Sequence, residues 1–205
     1  MRISFTTSLL ALTGALTAAL PLALPLAPHV HAQANGPSQE GTLSMEAHLR
    51  AQLSAVEDGP LESEIRALGT EAAAALIAIA SDDTALPVMR LRAITCLGWT
   101  SGSQPETYLR TLLRTEQEPM RLRAAIRAYG GLEGARAVSM IAAHGEHSDV
   151  AVREAVYLSL IAMLHSTQTA TPAQQSQVRS ALDRLLAREP DAQLAQRARS
   201  LRAAS

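Results

Sequence analysis

Lysine is missing from this chain. All 18 basic residues are arginine, and against 19 acids they leave a formal net charge of −1. So even a balance argues against a nucleic-acid binder, which draws its affinity from a basic excess facing the phosphates. Arginine without lysine, in an alanine-rich chain, points to coding bias rather than to a function. Cysteine occurs once, which excludes a disulfide framework within the chain. Aromatic residues make up only 2% of the sequence, so a core has to be built from Ala, Leu, Ile and Val. Ala and Leu are strong helix formers, and small side chains let helices approach closely. At 205 residues and 47% hydrophobic, the chain can bury one sizeable core. The expected fold class is all-α. No Ser/His/Asp spacing, glycine-rich phosphate loop or paired-carboxylate motif stands out, so no catalytic residue and no cofactor is assigned.

Charge is also scarce at the N-terminus, where Arg2 is the only Asp, Glu or Arg before Glu40. An Ala/Leu-rich run from about Leu9 to Ala27 follows, and the segment ends in Ala32-Gln33-Ala34. Small residues flanking Gln33 fit a signal-peptidase site, so residues 1–34 read as a signal peptide and the mature chain starts at Asn35. Pro21, Pro25 and Pro28 argue against a continuous membrane helix, so no stable membrane anchor is expected. Export on this reading leads to the periplasm, the cell envelope or the extracellular space. Residues 35–42 are polar and turn-rich and read as a disordered lead-in to a helical domain over 43–205.

What is present is a repeat. Met89-Arg90-Leu91-Arg92-Ala93 returns as Met120-Arg121-Leu122-Arg123-Ala124, and a weaker copy, Val150-Ala151-Val152-Arg153-Glu154, follows at nearly the same interval. A string recurring at a fixed period signals a stacked helical array. Apolar periodicity and stop signals predict helices over 43–57, over 60–68 with Gly69 as the stop, and over 71–80 behind Thr70 as N-cap. Pro87 opens the first string helix, which runs to Leu97. Ser103-Gln104-Pro105-Glu106 reads as a capping box opening the next helix. The second string helix starts at Glu118-Pro119 and ends near Gly130-Gly131. A helix over 134–143 follows, then the third string helix from Ser148-Asp149 to about Leu164. Thr171-Pro172-Ala173-Gln174 is a second capping box, and Glu189-Pro190-Asp191 opens a last, polar helix suited to a terminal cap.

At about 100° per residue, counting the first residue of each string as 0, positions 2, 5, 6 and 9 cluster on one inner face. They are Leu91, Ile94, Thr95, Gly98; Leu122, Ala125, Ile126, Tyr129; and Val152, Ala155, Val156, Ser159. The opposite side is also apolar, as a helix sandwiched between neighbours requires. The arginines fall on the boundaries. Arg92, Arg123 and Arg153 form one column, and Arg90 and Arg121 a shorter second one.

This pattern resembles a short HEAT-type repeat of about 30 residues: an apolar pair, an acidic loop, apolar-Arg, small residues, then Leu-Gly. It reads Leu76-Ile77, Asp82-Asp83, Leu91-Arg92, Ala93, Leu97-Gly98, and less closely Leu112-Leu113, Glu116/Glu118, Leu122-Arg123, Ala124-Ala125, Tyr129-Gly130. In the third copy Ser159-Leu160 stands where Leu-Gly would. The resemblance implies an α-solenoid, a right-handed superhelix of antiparallel helix pairs whose second helices line the concave side. It also implies that the column Arg pairs with a nearby acidic loop residue. The expected function is that of a monomeric, exported, non-catalytic scaffold binding a protein or peptide. Certain bilin lyases share the repeat type and make tetrapyrrole handling the alternative, although an export signal sits badly with it.

Two readings of the Arg92, Arg123 and Arg153 column compete: a binding ladder for acidic partners, or an internal ladder to carboxylates that ties the repeats. Acids precede every copy, which favours the internal ladder. The groove residues proposed for a partner are Arg90, Arg121, Arg127 and Tyr157, of which Arg127 and Tyr157 share their helical position with Cys96. His144-Gly145-Glu146-His147 with Asp149 groups metal-capable side chains in a loop, but without a ligand frame of metal-site spacing, so no metal is assigned. Some HEAT-type oxygenases hold iron through His-Glu pairs; the corresponding pair here is Arg153-Glu154. Cys96, with no neighbouring His or Lys, reads as a core residue, and Trp99 as a packed staple between repeats.

Overall fold

A computed structural model describes residues 44–55, 59–166 and 170–203. The signal segment 1–34, the cleavage point at Asn35 and the lead-in 35–42 lie outside the described residues. The elements are α1 (Met45–Ser54), α2 (Glu62–Ala67), α3 (Gly69–Ser81), α4 (Pro87–Leu97), α5 (Ser103–Thr115), α6 (Pro119–Glu133), a 3-10 turn (Gly134–Ala137), α7 (Val138–Ala142), α8 (Val150–His165), α9 (Pro172–Arg188) and α10 (Ala192–Ala203). Among the described residues there is no strand, so the fold is all-helical.

The helix starts follow local chemistry. Glu118 accepts hydrogen bonds from the backbone N–H groups of Met120 (2.9 Å) and Arg121 (2.7 Å), with Pro119 in the first turn of α6. Asp149 accepts from Ala151 and Val152 at the start of α8, and Asp191 from Gln193 and Leu194 at the start of α10. Each carboxylate satisfies N–H groups that have no partner inside the helix. The box at Thr171 forms as expected: its hydroxyl accepts from Gln174 N–H, and the Gln174 amide oxygen accepts from Thr171 N–H.

Several boundaries differ from the sequence expectation, and the helix expected over 134–143 is a 3-10 turn followed by the short α7. Ser103 does not cap α5. Gly102, with φ of +107°, holds the cap position, so Ser103 already sits inside the helix and Glu106 pairs with Arg110 instead. Thr70 does not cap α3 either, because Gly69 turns the chain at φ +67° and the helix starts there. Most consequential, α6 runs straight through Gly130-Gly131 to Glu133 and stops at Gly134, which has φ +54°. Glycine inside a helix costs about 1 kcal/mol relative to alanine, so packing has to compensate.

That packing is the close approach of α4 to α6. A Cβ on Gly98 would lie 2.8 Å from the backbone of Ala128, and one on Gly131 would lie 3.2 Å from the Gly98 carbonyl oxygen. Neighbouring helices are α3 with α4, α4 with α6, α6 with α8, and α8 with both α9 and α10, while α1 packs on α3 and α4, and α5 on α3 and α6. The three string helices therefore lie consecutively in one row. Their inner-face positions supply the core: Ile94, Leu122, Ala125, Ile126, Tyr129, Val152, Ala155 and Val156 are buried. Thr95 is the exception and is exposed, with its hydroxyl donating to the Leu91 carbonyl of its own helix. The duplicated methionines also differ: Met89 joins the core, whereas Met120 is 55% exposed.

Candidate functional site

The arginine column does not behave uniformly. Arg153 on α8 is buried and donates from Nε and Nη2 to the carboxylate of Glu189, at 2.9 to 3.1 Å. Its Nη1 donates to the carbonyls of His147 and Ser148 in the preceding loop. Tyr157, one turn further along α8, donates its hydroxyl to Glu189 at 2.9 Å. Burial pushes the Glu189 carboxyl up, but the Arg153 guanidinium, the Asp191 N–H and the Tyr157 hydroxyl outweigh it and hold the group below its usual value. The Tyr157 phenol is pushed well up, by burial first and then by its bond to Glu189. This network clamps the α9–α10 junction onto α8.

Arg92 serves the opposite end. It donates to the Leu53 carbonyl at 2.8 Å and to the Ala55 carbonyl, closing the C-terminal end of α1. Among the described residues its partners are carbonyls, because it reaches a helix end, where backbone oxygens are left over. Arg123, in the same register, has a buried Nε with no hydrogen-bond partner among the described residues. The acid opening the next string helix, Asp149, is already occupied in capping α8. Arg92 and Arg153 are thus both tied within the molecule, and among the described residues one of the two, Arg153, meets a carboxylate.

Two of the groove candidates are paired inside the molecule. Arg90 bonds Asp83 at 2.7 Å, and Arg121 lies 3.2 Å from a Glu116 oxygen. Side chains on a helix lean toward its N-terminus, so an arginine in the first turn folds back over its own acidic loop. Tyr157 is only 1% exposed and lines no open surface. Arg127 alone among the four is exposed and makes no ion pair or hydrogen bond to a described residue.

Arg127 borders a groove of about 340 Å³ at the C-terminal ends of the row. One wall is α2, through Glu62 and Arg66, which pair with each other at 2.7 Å. The α4 end contributes Gly98 and Trp99, α6 contributes Gly130 and Gly131, and α8 contributes Leu158 and Met163. The last α4 carbonyls are satisfied in place: Thr95 accepts from Gly98 N–H, Cys96 from Trp99 N–H, and Leu97 from both the N–H and the hydroxyl of Thr100. Ser159, also on the groove, is buried and its hydroxyl has no partner among the described residues. Trp99 is half-buried here, which joins a packing role to a place on the groove wall. The sequence carried no direct sign of α2 or Trp99 in this wall, and Glu189 showed only as part of a helix opener.

The histidine loop forms no ligand cage. His147 Nδ1 accepts the Asp149 N–H at 3.0 Å, and Glu146 pairs with Arg188. Burial, and then the neighbouring His147, push the His144 imidazole below its usual value. Among the described residues no group of three or more His, Cys, Asp or Glu is arranged to hold a metal ion. Cys96 is buried, and burial pushes its thiol up to about 12, so it is a protonated thiol and a poor nucleophile near neutral pH. No helix among the described residues is long and apolar enough to cross a membrane. Set against known protein families and curated proteins, the chain matches no family model and no curated protein.

Proposed function

We propose that the protein is an exported, non-catalytic scaffold, a HEAT-like α-solenoid that binds a protein or peptide partner along its row of string helices. The observation that carries this reading is the groove at the ends of α4, α6 and α8, which combines apolar walls with an arginine that has no partner among the described residues. A site of mixed apolar and polar lining is the ordinary form of a binding surface. The regular spacing of the strings and the consecutive contacts of α4, α6 and α8 support the solenoid. Export rests on residues 1–34, and N-terminal sequencing of the secreted or envelope-associated chain is expected to begin at Asn35.

The test is site-specific photo-crosslinking in the native envelope. A crosslinker at position 127 is expected to trap one discrete partner that a crosslinker at Thr107, on exposed α5, does not. Equal products from both positions, or only self-crosslinks, would count against the reading.

A further inference from the structure

We propose that the groove beside Arg127 recognises a carboxylate side chain on an extended segment of the partner, set next to an apolar residue. This rests on the scaffold reading above and specifies its ligand.

Among the described residues, three charged side chains border the groove: Glu62, Arg66 and Arg127. Glu62 and Arg66 neutralise one another across one helical turn, which leaves Arg127 as the one of the three uncompensated among the described residues. Elsewhere in the string helices four arginines have partners, Asp83 for Arg90, Glu116 for Arg121, Glu189 for Arg153 and the α1 end for Arg92, while Arg123 is half-buried and does not line the groove. At the register of Arg127 the neighbouring copies carry Cys96 and Tyr157, both buried. Arg127 is the copy that turns outward.

Arg127 donates to no carbonyl among the described residues, and the last α4 oxygens already accept from Gly98, Trp99 and Thr100. A planar guanidinium with free donors matches a carboxylate in a two-bonded geometry. Beside it, the half-buried Trp99 and Leu158 present apolar surface that an aliphatic side chain can cover, with Met163 buried behind them. The floor adds one unmatched group, the Ser159 hydroxyl. The opposing influence is the helix ends themselves, because C-termini carry partial negative charge and favour a cation. Satisfied carbonyls weaken that influence, and the full charge of Arg127 decides the sign.

The test uses a random nine-residue peptide library displayed on phage and selected against the mature chain. The expected result is enrichment of Asp or Glu next to Leu, Ile, Val or Phe. Synthetic peptides from that selection are expected to bind Arg127→Gln about ten-fold more weakly, a loss in the range of one charged contact at an interface. The same peptides should bind Arg114→Gln, an exposed arginine on α5, as they bind the parent chain. Circular dichroism and melting of Arg127→Gln should match the parent, since Arg127 makes no described contact that folding needs. Selection of Lys- or Arg-rich peptides would overturn the proposal in favour of recognition by the helix ends. Acidic peptides indifferent to Arg127→Gln would overturn it while leaving the scaffold reading in place. No enrichment at all would overturn both.

Discussion

Arginine at one register does three different things in this molecule, and the differences set measurable stabilities. Arg153 faces a Glu189 carboxylate whose side chain is fully buried. Removing the arginine strands that charge, so Arg153→Ala should cost about 3–5 kcal/mol. Arg92→Ala loses two bonds to carbonyls from a half-buried charged donor and should cost about 1.5–3 kcal/mol. Arg123→Ala removes a side chain whose Nε has no partner among the described residues and should stay within about 1 kcal/mol. Urea unfolding of the three variants checks the ranking, and equal losses would contradict it. Asp82 gives a pH signature. The Thr84 hydroxyl, Arg50 and the Thr84 N–H hold its carboxyl at about 2, against 3.8 for an unperturbed aspartate. The unfolded chain therefore takes up the proton first as pH falls. This stabilisation is complete above about pH 4 and is lost between there and about pH 2. Comparing urea midpoints at pH 5 and pH 2.5, Asp82→Asn should lose less than the parent; an identical loss would exclude the assignment.

At the scale of single elements, caps separate the readings that sequence pattern suggested from those the backbone realises. Ser103 and Glu106 have the spacing of a capping box, yet Gly102 takes the cap position and the box does not close. Asp149 carries no box, but one of its oxygens accepts two N–H groups of α8. Asp149→Ala is therefore expected to lower stability by about 1 kcal/mol, and Ser103→Ala by less than about 0.5 kcal/mol. Thermal melts of the two variants side by side decide this, with a larger loss at Ser103 as the contrary outcome. Length is governed in the same way. α6 keeps its helical form through two glycines because α4 and α8 press on it there, and a Cβ on Gly130 would already crowd Ile141, Met163 and Ser159.

At the scale of the whole molecule, α9 and α10 close the row. α8 packs on both, and Arg153 and Tyr157 reach across to Glu189 between them. Ending the chain after Ser166 would remove Glu189, leave Arg153 without that counter-charge and uncover the part of α8 that packs on α9 and α10. Terminal elements of a helical array protect such faces from water. The truncated chain is expected to be aggregated or to unfold without a cooperative transition, as read by size-exclusion chromatography and a thermal melt. A soluble, cooperatively folding truncation would show that α8 needs no cover.

Period and composition alone determined the helical class, the places of the string helices and most of their buried faces. Those properties depend on contacts a few residues apart and on apolar spacing, which a linear string displays. The HEAT resemblance and the export signal stay with the sequence as the basis of a proposal. Tertiary structure decided the fate of the arginines. Arg90 and Arg92 lie on one turn of α4, yet one folds back on its own loop and the other crosses to the end of α1. Arg127 and Tyr157 hold one register, yet one faces solvent and the other a distant carboxylate, Glu189. Helical geometry assigns a side chain its direction, but what waits in that direction belongs to another part of the chain. That is why the sequence marked Arg127 among four groove residues, and only the packed helices left it as the one of the four without a partner among the described residues.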